Sequence, residues 1–452
     1  MIIRRRSSTR SGTACTCRYP RCCMLLGIAT TAALDLSVAP MMGHTHRHHR
    51  VFWRLLSERT EWWSEMVPAP ALLAGAGLTD DADVDPDLVA FAATRVDDDP
   101  RAVLQLGGCD AGELRDAAGV AASLGYRHLN LNCGCPSSRV TDEEYRSGAA
   151  LMRDAARVGE LCRAMAAGAP GALISVKHRL GVVDFRDYDA DDDARHGLDR
   201  AKATASDFVR TVAETSDVSR FVVHARLALL GDLDPDSEAS SRLLNKARAS
   251  TDDRLYRDVA SRAASTGRAS TLTNRHVPPL RRSVVDDLSR RFPDLDFVVN
   301  GGFASLADVL DQTHDAMVGR AAINHPCSFA AADAALYGAA PAAKTRGDVL
   351  DAYIAYCESQ KLDRPATRRK LLSPAYHLFA GEPGNARYQR RIKKLAGTKL
   401  GRGAEAHTIL RAARREVEAS LATPVSAFCA PDEIPTYELE SPRAGPLQRL
   451  VR

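Results

Sequence analysis

The stretch LNLNCGCPSSRV, Leu129 to Val140, holds the residue types best suited to chemistry. Leucine and asparagine alternate with the period of a β-strand buried on one face, and Gly134 and Pro136 end it abruptly. Cys135 therefore stands just past the strand's C-terminal end, the side on which α/β barrels and open α/β sheets hold ligands. A thiol there can serve as a proton donor. Alone it proves little, because free cysteine is usually a small core residue.

What adds weight is the polar inventory at the other strand ends: Pro40-Met41-Met42, Gln105, Asn132, Lys177 with Arg179, His224 with Arg226, Asn300-Gly301-Gly302, and Gly319-Arg320. A phosphate needs backbone N–H donors that approach closely, and glycine permits the approach. The glycines after the seventh and eighth strands fit the usual phosphate site of a barrel, with Arg320 adding charge. An isoalloxazine-like ring needs donors and acceptors around its pyrimidine edge and a cation nearby, which Gln105, Lys177 and His224 can supply. Each residue also has a plain reading, as a strand cap, an ion-pair partner or a satisfied core histidine. Their joint placement at nearly every strand terminus favours a site.

A metal is not expected. His44, His46, His48 and His49 lie in one polar segment with no carboxylate or distant cysteine at ligand spacing. Gly75-Ala76-Gly77 does not continue into a dinucleotide fingerprint, and neither a P-loop nor an H-E-x-x-H motif occurs.

These residues must be carried by regular elements. Candidate strands are Leu34–Ala39, Glu61–Val67, Arg101–Leu106, His128–Cys133, Ala172–Lys177, Arg220–Ala225, Asp296–Asn300 and His314–Val318, most followed by a helical pattern. Eight such βα units predict a TIM barrel over residues 34–340, with a doubly wound sheet as the alternative. Two stretches interrupt the spacing and read as insertions: the Asp-rich residues 183–197, taken as an exposed loop, and the long charged residues 231–277, helical around Asp253–Ala264 or disordered. Beyond Ala340 the pattern is wholly helical, with candidates Arg346–Gln360, Thr367–Leu378, Ala386–Leu395 and Ala404–Ala422. The basic residues from Arg387 to Arg415 read equally as a solvated face or as a seat for a polyanion. Residues 423–452 read as an unstructured tail.

With 61 basic and 57 acidic side chains in 452 residues, overall charge says little about partners, but its distribution says more. Residues 1–33 are rich in Arg, Ser and Thr and lack acids, which reads as an organellar targeting peptide, with a secretory signal as the competing reading. The eleven cysteines show no paired framework, and four of them fall in that leader, so a reducing compartment is expected. No segment approaches the ~18 apolar residues of a membrane span. A soluble protein is expected, without membrane association and monomeric.

Taken in order, VAPMMGHTHRHHRVFWRLLS, WWSEMV, VLQLGG, LNLNCGCPSSRV, VKHRLG, FVVHARLALL, FVVNGGFAS and AMVGRAAINHP resemble the tRNA-dihydrouridine synthases of the A-type subfamily. HLFAGEPGNARYQRRIKK extends the likeness into the helical region. The resemblance implies an FMN-containing TIM barrel followed by a helical tRNA-binding domain over residues 341–422, using NADPH to reduce uridines at D-loop positions 20 and 20a. Carried over by position, Cys135 resembles the proton donor, and Asn132, Arg179 and Arg226 resemble substrate contacts. Pro40, Met41, Met42, Gln105, Lys177, His224, Asn300, Gly301, Gly302, Gly319 and Arg320 resemble FMN contacts. Leu227 departs from the family, which carries lysine directly after the His-Ala-Arg of the sixth strand.

Two other functions would use these residues differently. A flavin barrel reducing a free small molecule would keep its activity without residues 341–452, whereas a tRNA enzyme would lose most of its own. A non-catalytic RNA binder would not need Cys135, Lys177 and His224.

Overall fold

The computed structural model describes residues 34–77, 99–141, 147–231, 278–339, 344–360, 365–397 and 404–426. The strands in chain order are β1 (Leu36–Val38), β2 (Glu61–Trp63), β3 (Val67–Pro68), β4 (Ala102–Gly107), β5 (His128–Cys133), β6 (Leu173–Arg179), β7 (Val182–Asp184), β8 (Arg220–His224), β9 (Ala228–Leu230), β10 (Asp296–Asn300) and β11 (Asp315–Val318). Eight of them, β1, β2, β4, β5, β6, β8, β10 and β11, pair in parallel, and β2 meets both β1 and β4, so the sheet closes into a barrel. The expected TIM barrel is therefore present, and all eight expected strands take part. The expected second strand breaks after Trp63 and resumes as β3, which extends the pairing of β4 at Leu106 and Gly107.

Period-two alternation sorts the side chains. Outward-facing Leu104, Leu106, Leu129, Leu131, Val176, Phe221 and Val299 belong to the large core packed beneath the surrounding helices. Inside the barrel, Ala39, Trp63, Val103, Val222, Val298 and Met317 form an apolar plug. Below it lie Glu61 and Arg220, and above it, at the C-terminal mouth, lie Gln105, Asn132, Lys177, His224 and Asn300 on the same inward parity. Over the mouth, β7 and β9 make a two-stranded parallel sheet that extends the connections after β6 and β8.

The Asp-rich stretch 183–197 is not an exposed loop. It contains most of β7, a short 3-10 turn, and the first turns of a helix that runs from Ala190 to Thr215. Asp189 caps that helix by accepting N–H bonds from Asp191 and Asp192 at 2.8 and 3.1 Å. Asp191, Asp192 and Asp193 fill the first turn, where the helix dipole favours negative charge. The acidic run was a helix start. The stretch 232–277, including the helix expected near Asp253–Ala264, lies outside the described residues, as do residues 1–33 and 427–452.

The histidine-rich segment, polar by sequence, is largely buried. It enters the helix Arg47–Arg54, whose buried face is His48, His49, Phe52 and Trp53. This helix packs against the C-terminal helices Arg346–Ser359 and Pro365–Leu372, on which Ala406–Arg414 in turn packs together with Asn385–Gly397. Phe52 meets Tyr353 edge-on at 5.2 Å, His48 Nδ1 lies 2.7 Å from the Tyr356 hydroxyl, and His46 Nε2 lies 3.2 Å from Ser373 Oγ. Burial pulls His48 and His49 down to about 3. Among the described residues, no group of three or more His, Cys, Asp or Glu side chains could hold a metal ion, and no helix is long and apolar enough to cross a membrane.

Candidate active site

The strand β5 delivers Cys135 to the mouth through a turn that its own last inward residue holds. Asn132 Oδ1 accepts the backbone N–H of both Gly134 and Cys135 at 3.0 Å. From the other side Ala149 N–H donates to the Cys135 carbonyl at 2.9 Å. Gly148 has φ +61°, and a Cβ there would stand 2.6 Å from that carbonyl oxygen, so only glycine lets this backbone lie against Cys135. Two residues earlier, Cys133 faces outward and is fully buried, and burial pushes its thiol well above the ordinary value.

Positive charge converges on the same place. Lys177 is pulled down to about 7 by burial and by neighbouring Arg179, against the opposing pull of Cys135. Arg179 is 4% exposed and donates from Nε to Gly134 O and from Nη1 to Leu227 O, each at 3.0 Å, tying the Cys135 turn to the β8–β9 connection. Burial lowers His224 well below its usual value, and the charged neighbours that add to this are Arg179, Lys177, Arg226 and Arg320, all cations. Arg226 donates to the Pro278 carbonyl.

The loops after β10 and β11 form a cradle. Gly301 and Gly302 have φ of 117° and 76°. A Cβ on Gly301 would stand 3.0 Å from His224 Cδ2, and one on Gly302 would stand 2.5 Å from Leu280 Cδ2. Among the described residues, neither N–H finds a protein acceptor. Asn300 is turned to the barrel, its Nδ2 donating to Met317 O at 2.8 Å, so it fixes this cradle to β11. A Cβ on Gly319 would lie 3.8 Å from both Ala39 Cβ and Met41 Sδ, so the loop carrying Gly319 and Arg320 adjoins the one carrying Pro40, Met41 and Met42. Met41 N–H is fixed by Thr45 Oγ1 at 2.9 Å, and Met42 is 56% exposed. Every residue singled out at the strand ends thus lies at one end of the barrel.

Residues 37–414 match the family model described as "Dihydrouridine synthase (Dus)". The chain belongs to the dihydrouridine synthase family. It is 35% identical over 355 residues to a tRNA-dihydrouridine(20/20a) synthase of Xanthomonas campestris, covering 78% of this chain and 85% of that one. It is 30% identical over 367 residues to the protein of the same name from Salmonella typhimurium, covering 80% and 90%. A third, from Vibrio cholerae, is 30% identical over 378 residues, covering 83% and 95%. The activity is that of a tRNA-dihydrouridine synthase, within a family of flavin-dependent oxidoreductases that generally depend on FMN and NAD(P)H. The mouth fits such a flavin: the glycine cradle leaves N–H donors for a phosphate, and the charged neighbours of His224 are cations.

Two features of the mouth were not read from the sequence. Arg282 donates from Nε and Nη2 to Gly301 O at 3.1 and 2.8 Å and stacks on Phe303 at 4.1 Å, buttressing the cradle. No local motif marks it, because the contact crosses between two connections. Asn130 shares its face with Asn132 and bonds Gln105 and Ser175 inside the barrel, where the Leu-Asn alternation showed only that the two asparagines lie on one face.

Proposed function

We propose that this chain binds FMN at the barrel mouth, draws electrons from NADPH, and reduces the C5=C6 bond of uridine at tRNA positions 20 and 20a, with Cys135 as proton donor. The supporting observation is that Lys177, beside Asn132 in the β5–β6 register, and Arg179, bonded to the Gly134 carbonyl, flank the Cys135 turn, and that the charged neighbours of His224 are cations. When bound, FMN supplies the hydride that adds at C6 of the uracil. Charge in the ring then moves toward C5 and O4, and the Lys177 and Arg179 cations stabilise it. The Cys135 thiol delivers a proton to C5, and its bracing by Asn132 and Ala149 restricts where the sulfur can go. Pro40 to Met42, Gln105, His224 and the glycine cradle hold the flavin in this reading.

A uridine within folded tRNA must leave its stack to reach this depth. The helical region supports the polyanion in part only. Arg411, Arg414 and Arg387 pair with Glu358, Asp351 and Glu416 at 2.6, 2.8 and 3.5 Å, so their charge is spent within the domain. Arg390, Lys393 and Lys394 are the better candidates for phosphate contacts. We also read the chain as a monomer, and residues 1–33 as an organellar address.

The test is incubation of the FMN-loaded protein with NADPH and unmodified tRNA, followed by mapping of dihydrouridine. Product at positions 20 and 20a is expected. Flavin reduction without modified tRNA would contradict the reading.

A further inference from the structure

Five inward side chains link the barrel interior to the Cys135 turn. Cys135 N–H donates to Asn132 Oδ1 at 3.0 Å, Asn132 Nδ2 to Gln105 Oε1 at 3.2 Å, Gln105 Nε2 to Asn130 Oδ1 at 2.8 Å, and Asn130 Nδ2 to Ser175 Oγ at 2.9 Å. Ser175 Oγ lies 2.7 Å from His128 Nε2 and 3.5 Å from Leu129 O, so its proton is better placed on the imidazole. Burial drives His128 down to about 4, so at neutral pH it is uncharged and able to accept, while its Nδ1 faces Glu61 at 3.9 Å.

The donors run one way, from the mouth to the floor. Register explains how: Gln105 pairs with Asn130 and Asn130 with Ser175 on neighbouring strands. Asn130 and Ser175 are 0% exposed. A primary amide sealed in a barrel is costly unless its donor and acceptor are both used. Here one neighbour accepts and the other donates, and this sets which way the Gln105 amide faces.

We infer that Asn130 is a positioning residue: through Gln105 and Asn132 it sets the flavin-facing amide and the turn that carries Cys135. This rests on the proposed function in taking Gln105 as a flavin contact and Cys135 as the proton donor. Asn130 itself touches neither reactant. Its removal frees Gln105 to rotate its amide, and that rotation offers the flavin edge a donor where it needs an acceptor, or the reverse.

The experiment is a double-mutant cycle on FMN affinity in the full chain, read by quenching of flavin fluorescence. Asn130→Leu is expected to weaken FMN binding about tenfold and Gln105→Leu by a similar factor, while the double variant is within about twofold of Gln105→Leu alone. Asn130→Asp, neutral in this buried place, keeps an acceptor for Gln105 and a donor for Ser175 and is expected to bind FMN within about threefold of the parent. Losses that multiply in the double variant, or an unchanged affinity in Asn130→Leu, would overturn the inference. If Asn130→Leu does not fold, Ser175→Ala enters the same cycle with the same expected coupling. A parent protein that binds FMN but does not modify tRNA defeats the functional reading alone, because the cycle still decides the role of Asn130.

Discussion

The two ends of this barrel both bury ionisable groups, and they differ in how the charge is balanced. At the floor, Arg220 reaches Glu61 at 3.3 Å and Asp315 at 3.9 Å, and Glu61 also accepts from Ser37 and Trp63 at 3.0 and 3.3 Å. Burial alone would raise Glu61, yet Arg220, His128 and these donors together hold it below the usual carboxylate value. At the mouth, Lys177, Arg179, Arg226 and Arg320 surround His224, and the acceptors of Arg179 and Arg226 include main-chain carbonyls. A balanced cluster holds strands together. Cations gathered around one histidine favour an approaching anion, as a phosphate-bearing flavin and a tRNA would be.

The contrast breaks most visibly by neutralising one charge at each end. Lys177→Met is expected to cut tRNA reduction by roughly 100-fold or more, since a buried cation beside developing negative charge acts in the transition state. The same change should raise the melting temperature of the flavin-free protein at pH 7. Lys177 titrates near 7 rather than 10.5, so the fold disfavours its charge, and this penalty is full below about 7 and gone above 10.5. Glu61→Gln should do the opposite. It leaves Arg220 short of a partner and costs roughly 3 kcal/mol of stability, with activity per folded molecule little changed. Thermal melts and single-turnover rates on both variants decide between these outcomes.

A smaller effect sharpens the comparison through pH. His128 at the floor, about 4, and His48 in the seam with the helical region and His49 against Trp62 of β2, each about 3, are kept neutral by burial. Each folded value lies below the unfolded 6.5, so the stability these residues permit is complete above pH 6.5 and falls as pH drops toward 4 and then 3. Melting curves across that window should show the decline. His49→Gln, which can still accept from Trp62 Nε1, should flatten it, and an unchanged slope would argue against this buried histidine as its source.

Much of this was legible in the chain because strand alternation is a local signal. Leu129 to Cys133 could be assigned to a strand, and its polar residues to one face, from five letters. The closing of the barrel brought the mouth residues together, and their positions at strand ends foretold it. What failed to show was non-local or ambiguous. Asp189 to Asp193 serve a loop and a helix N-terminus equally well until the following turn is seen. His46 and His48 look polar until the C-terminal helices cover them, and His49 until Trp62 does. Arg282 and Asn130 matter through contacts across connections or neighbouring strands, which no spacing along the chain encodes.

The central claim sets Cys135 against Cys133, two thiols two residues apart, one braced at the mouth and the other sealed in the outer core. The most direct measurement is single-turnover oxidation of NADPH-reduced protein by unmodified tRNA in Cys135→Ala and Cys133→Ala. Cys135→Ala should keep its flavin and lose nearly all reduction of uridine, while Cys133→Ala should react at close to the parent rate. Near-parent reduction by Cys135→Ala would contradict the account.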